Sequence, residues 1–158
     1  YKQVHGPNLY RRGMYTLIKR TVPPASLGIF DASNRDQCEV KRLRTNTPLQ
    51  ALVMLNDPTV LEASRVLAAR LLQDNSVAKD KIIKAFRLIM CRHPQENELT
   101  ILTAYYNDGL KTIKKADAEK LLSVGEYPLP VNPDKITLAA MMKVVDTIYN
   151  LEEAITKT

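Results

Sequence analysis

The chain has 158 residues, 45% apolar and 25% charged, which is enough to bury a core and too apolar for general disorder. Its longest apolar runs, Ala51 to Leu55 and Leu138 to Met142, are far too short to cross a bilayer. The net charge of +6 is uneven: residues 1–46 carry nine Lys and Arg (Lys2, Arg11, Arg12, Lys19, Arg20, Arg35, Lys41, Arg42, Arg44) against Asp31, Asp36 and Glu39, and the remainder carries fourteen of each sign. A basic N-terminal third points to a polyanion or an acidic partner protein, or to Arg forks used as structural glue.

Few glycines and long runs of Leu, Ile, Ala, Lys and Glu favour helix. Tyr1 to Asn8 reads as loop, and Leu9 to Arg20 as a short helix interrupted by Gly13 and ended by Thr21-Val22-Pro23-Pro24. A helical turn around Ala25 to Phe30 leads into a long polar, basic segment, 31–46. Thr47-Pro48-Leu49-Gln50 is a strong helix start: Thr47 caps, Pro48 fits the first turn, and Gln50 reaches back. That helix, about 48–56, is followed by a second cap-plus-proline signal at Asp57-Pro58 opening 58–73.

Asn75-Ser76 opens a third helix, 77–91, with Ile82, Ile83, Phe86, Ile89 and Met90 on one stripe. His93-Pro94 breaks the chain before a helix over 95–114, with His93 a cap or surface residue and Leu99, Leu102, Tyr105 and Tyr106 facing inward. A shorter helix over 116–124 ends at Gly125, a natural left-handed cap. A stiff loop holds Pro128, Pro130 and Pro133. Asn132-Pro133 then opens a last helix over 134–155, striped by Met141, Val144, Val145, Ile148 and Ile155. The fold class is all-α: an irregular bundle of about six helices with a long ordered polar loop near residues 31–46.

The chemistry-bearing residues crowd that loop. Asp31 with Asp36 or Glu39 forms a candidate carboxylate pair, with His5 folding back, but such pairs have no defining spacing. The alternative is that Asp31 and Asn46 cap helices and satisfy loop backbone. The candidate ligand-binding set is therefore Arg35, Arg42, Arg44, Asp31 and Asn46, the arginines being suited to phosphate, sulfate or uronate. Tyr10, Tyr15, Tyr105 and Tyr106 are candidate stacking surfaces for sugars, or else core and rim residues.

Cys38 and Cys91 form no C-x-x-C and are either a disulfide or buried thiols, with Cys38 a weaker candidate nucleophile beside arginines. Cys91-Arg92-His93 is not a haem-attachment motif. With two histidines, a zinc site is not expected, and no nucleic-acid recognition signature is present. No catalytic residues and no metal are assigned.

Several blocks carry a family resemblance: Arg11-Arg12-Gly13-Met14-Tyr15-Thr16, Lys19-Arg20-Thr21-Val22-Pro23-Pro24, Phe30-Asp31-Ala32 and Arg44-Thr45-Asn46-Thr47-Pro48-Leu49-Gln50-Ala51-Leu52. Leu55-Asn56-Asp57-Pro58, Ser123-Val124-Gly125-Glu126 and Asn150-Leu151-Glu152-Glu153 extend it across nearly the whole chain. Together they resemble the C-terminal domain of planctomycete-type secreted, cytochrome-c-associated proteins (domain of unknown function 1553, the PSD one family). Ala25, Ser33, Gly13 and Ala154 depart from the family pattern.

The resemblance implies an exported, periplasmic or cell-surface setting, with haem in other domains and no cofactor in this chain. It supplies no catalytic residue. The chain, starting at Tyr1, is then expected to be the C-terminal part of a multidomain protein, with 1–46 basic and loop-rich and 47–158 helical. The expected function is a non-catalytic interaction or structural domain whose partners are the preceding domains of the same polypeptide. The alternative is binding or processing of an anionic polysaccharide through the Arg-rich loop.

Overall fold

Proline and a polar cap together decide where the first long helices begin. A computed structural model describes residues 4–19, 21–33, 38, 40–41, 45–129 and 134–156. The described residues contain the helices α1 (Ala25–Ile29), α2 (Pro48–Asn56), α3 (Pro58–Leu72), α4 (Ala78–Met90), α5 (Glu96–Thr112), α6 (Lys115–Leu122), α7 (Lys135–Tyr149) and α8 (Glu152–Ile155). No strand occurs among them, and the one β-bridge joins Lys19 and Val22. The all-α expectation holds. No helix among the described residues is long and apolar enough to cross a membrane.

Two helices differ from the sequence reading. The segment expected to be helical from Leu9 forms two 3-10 turns, Gly6–Tyr10 and Gly13–Tyr15. Met14, Tyr15 and Leu17 are exposed there, so no buried apolar face supports a longer α-helix. The last helix is broken at Asn150 and Leu151, where the backbone becomes extended at Leu151 before α8 starts. Caps also shift. α5 is opened not by His93, which is exposed, but by a capping box in which the Gln95 N–H donates to Glu98 Oε2 at 2.7 Å. Asp57 accepts from the Thr59 N–H at 2.8 Å, and Asp134 from the Thr137 N–H at 3.0 Å. The Asn132-Pro133 signal lies outside the described residues.

The described chain forms two compact units, Tyr1–Val53 and Met54–Thr158. The C-terminal unit is built around α7. Its residues Leu138 to Met142, Val144, Val145 and Ile148 are all buried, as a helix surrounded on most sides requires. It packs most extensively on α3, then on α5, α6, α4 and α8. Small residues allow the close approach of α5: a Cβ added at Gly109 would lie 3.3 Å from the Ala140 methyl. Phe86 and Ile82 of α4, with Leu102 and Tyr106 of α5, fill the core around it. Tyr105, expected to face inward, is 42% exposed, because its neighbour Tyr106 takes the buried side.

Two ionic clusters fasten the edges of this unit. Cys91 ends α4 in the left-handed region at φ 59, and the next residue, Arg92, turns back over the Phe86 ring, 4.9 Å from its centroid. Its guanidinium donates to Glu98 at 2.8 and 2.9 Å and to Glu153 of α8 at 2.7 Å. Hydrogen bonds from Arg92 hold both carboxyls below the usual carboxylate range. The second cluster is buried. Glu62 and Arg65 of α3 are 3% and 4% exposed, and they grip one residue from both sides. The Tyr127 N–H donates to Glu62 Oε1, while Arg65 donates to the Tyr127 carbonyl and to Leu122 O.

Gly125 makes that grip possible. It adopts φ +89, and a Cβ there would lie 2.5 Å from Glu62 Cδ. Gly125→Ala combines left-handed strain with a clash against a buried ion pair, so we expect a loss of roughly 2 kcal/mol or more. Urea unfolding of the variant against the parent chain measures it. A change within error would show that the 123–129 turn is free to move away from α3.

Candidate functional site

In the N-terminal unit a polar clasp stands where a small domain usually has an apolar core. Asp31 follows α1 and takes a left-handed conformation, φ 55. Its neighbour Ala32 donates its N–H to Leu27 O at 2.9 Å, tying this turn to α1. The carboxylate then accepts from Thr45, fourteen residues later: the Thr45 N–H reaches Oδ2 at 2.8 Å, and the Thr45 hydroxyl reaches the two oxygens at 2.8 and 3.0 Å. The two ends of the polar segment are thereby closed on each other.

Gln50 locks the closure. Its side-chain oxygen accepts from the Thr47 N–H at 3.1 Å and its own N–H meets Thr47 Oγ1 at 3.4 Å, so the expected capping box is present. Its amide nitrogen goes further, donating to Ile29 O at 2.8 Å and Thr45 Oγ1 at 3.1 Å. A weaker contact runs to Asp31 Oδ2 at 3.5 Å. Gln50 is 1% exposed, the one buried side chain among the described residues of this unit. A carboxamide so placed uses its donors and its acceptor together, joining the end of α1, the neck of the loop and the start of α2.

The clasp clarifies what these groups do. Asp31 spends its lone pairs on Thr45 and Gln50, and the Thr45 backbone hydrogen bond is the main cause that holds its carboxyl below the usual aspartate range. An ionised carboxylate engaged in this way positions the neck of the loop. Asn46 is exposed and outside the clasp. Arg35, Arg42 and Arg44, with Asp36 and Glu39, lie outside the described residues.

Cys38 and Cys91 are free thiols and both exposed, so neither is a buried thiol and they are not joined. Among the described residues no group of three or more His, Cys, Asp or Glu could hold a metal. Of the candidate stacking residues, Tyr106 is core, while Tyr10, Tyr15 and Tyr105 are exposed. Thr45 and the Gln50 amide nitrogen were missed in the sequence; a capping box signals only the local pair.

The family whose sequence model matches is described as PSD1, protein of unknown function (DUF1553), and the match spans residues 1–106. No curated protein and no solved structure matches the chain. The match contains every residue of the clasp and ends within α5, so the 123–126 and 150–153 blocks quoted for the resemblance fall beyond it.

The pH response follows from the sign of the Asp31 shift. Since its folded value is lowered, the clasp contributes stability above the ordinary aspartate value and loses it as pH falls through the lowered one. We expect the Thr45 amide resonance to titrate with a midpoint below 3.8, the ordinary value. A midpoint at or above 3.8 would mean that the Thr45 hydrogen bonds do not hold in solution.

Proposed function

The chain belongs to the PSD1 family of proteins of unknown function (DUF1553), and on that premise we propose that it is a non-catalytic interaction module. Its N-terminal unit presents a docking surface for an acidic domain of the same polypeptide, and its C-terminal unit is the self-supporting brace. Export and association with a cytochrome-c-like region, which the resemblance implies, belong to this proposal.

One observation carries it. Among the described residues of the N-terminal unit, Gln50 alone is buried, while large apolar side chains are open to solvent: Met14 62%, Tyr15 67%, Val22 57%, Leu49 52% and Leu52 56%. Ordering a residue costs on the order of 1–2 kcal/mol, and burial of apolar surface normally offsets it. A unit of this size whose described residues bury no large apolar side chain gains that burial from outside itself. Exposed apolar groups set among polar ones are the usual form of a protein-binding surface. The excess positive charge of residues 1–46 selects an acidic face and repels a basic one.

Hydrogen exchange on the chain alone tests the reading. Amides of α1 and of residues 50–53 are expected to exchange orders of magnitude faster than those of 138–148 in α7. If the two sets are protected equally, the N-terminal unit is self-supporting and does not require a partner surface.

A further inference from the structure

A second surface lies in the C-terminal unit, and the docking proposal makes no use of it. A cleft of about 350 Å³ runs between α3 and the loop that follows α6. One wall is Val66 and Arg70, four residues apart and so on one face of α3, with Gln73 at the helix's C-terminal cap. The other wall is Tyr127, Pro128 and Leu129.

We propose that this cleft binds a uronate residue of an acidic polysaccharide, that is, a six-membered sugar ring bearing a carboxylate. The volume is at the small end of ligand sites, about 300–1,000 Å³, and suits a single ring. Tyr127 is 43% exposed, and its ring offers an apolar face against which the C–H face of a pyranose can stack. Arg70 is exposed and lines the cleft, and its planar fork has the geometry to take a carboxylate. Gln73 adds one donor and one acceptor for ring hydroxyls. Among the described residues that line the cleft Arg70 is charged and none is acidic, so charge favours an anion.

The loop wall is set before any ligand arrives. The Tyr127 backbone is held at its N–H by Glu62 and at its carbonyl by Arg65, both buried, and Pro128 fixes the next φ. Preorganisation of this kind reduces the ordering cost of binding. The bonds to Glu62 and Arg65 use the Tyr127 backbone N–H and carbonyl, so truncating the ring leaves those two bonds possible. A peptide would need backbone partners along the cleft, and the lining offers side chains of the kind a sugar ring uses.

Titration of the whole chain with tetragalacturonate, followed by chemical shifts of the Val66 methyls, tests the proposal. Saturable binding is expected at roughly 0.1–1 mM, the range of weak single-ring sites. The fully methyl-esterified tetramer has the same rings without the charge and is expected to bind at least about tenfold more weakly. Arg70→Gln and Tyr127→Ala should each weaken tetragalacturonate by a similar factor while leaving the α7 core resonances in place. No saturation up to about 10 mM, or equal binding of the ester, would overturn the proposal. Binding unchanged by both substitutions would also overturn it, because the sugar would then sit on cations elsewhere, such as those of residues 1–46. None of these outcomes bears on the docking surface of the N-terminal unit.

Discussion

The buried carboxamide of Gln50 is the constraint on which the N-terminal unit depends. It is one side chain, and it meets a carbonyl at the end of α1, a hydroxyl at the neck of the polar loop and the first turn of α2. Hydrogen bonds of this kind each contribute only about 1 kcal/mol net, but leaving such a group buried and unpaired costs more. The network is therefore better at choosing one arrangement than at supplying stability. That division explains how a unit can have a defined loop neck and yet leave Met14, Tyr15, Val22 and Leu49 facing solvent.

The C-terminal unit solves the opposite problem. Stability comes from α7, a helix apolar on nearly every side and enclosed by five others. Polar groups appear at its edges, where they fasten rather than fill. Arg92 ties α8 to the start of α5, and Glu62 with Arg65 ties the 123–129 turn to α3. The second of these bears on the proposed cleft, because it holds the Tyr127 backbone, next to Pro128, in the wall that faces Arg70. Arg70 stands across the cleft from that wall, whereas Asp31 in the other unit is engaged by Thr45 and Gln50.

Much of the helical plan was legible from local chemistry. Thr47-Pro48-Leu49-Gln50 and Asp57-Pro58 place the starts of α2 and α3 because cap and proline act within one turn. The stripe Ile82, Phe86 and Ile89 marks α4 for the same local reason. What stayed illegible is non-local. Nothing in the spacing of Asp31 and Thr45 says that they meet, and a Gln three residues after a cap looks the same whether or not its amide nitrogen reaches Ile29. The Arg70–Tyr127 cleft was missed because its walls are more than fifty residues apart in sequence, joined by a buried ion pair whose members look like ordinary α3 surface charges. Of the two readings of His93, cap or surface residue, the structure shows the second, and the capping-box spacing of Gln95 and Glu98 was missed.

The most direct measurement of this account is the amide spectrum of Gln50→Met, which keeps the length of the side chain and removes its hydrogen bonds. If the clasp organises the N-terminal unit, the resonances of Ala32, Thr45 and Thr47 collapse toward unstructured positions while those of α7 remain where they were. If the N-terminal resonances stay dispersed and in place, the unit is held by something other than the Gln50 network, and the account of a clasped loop without an apolar core is wrong.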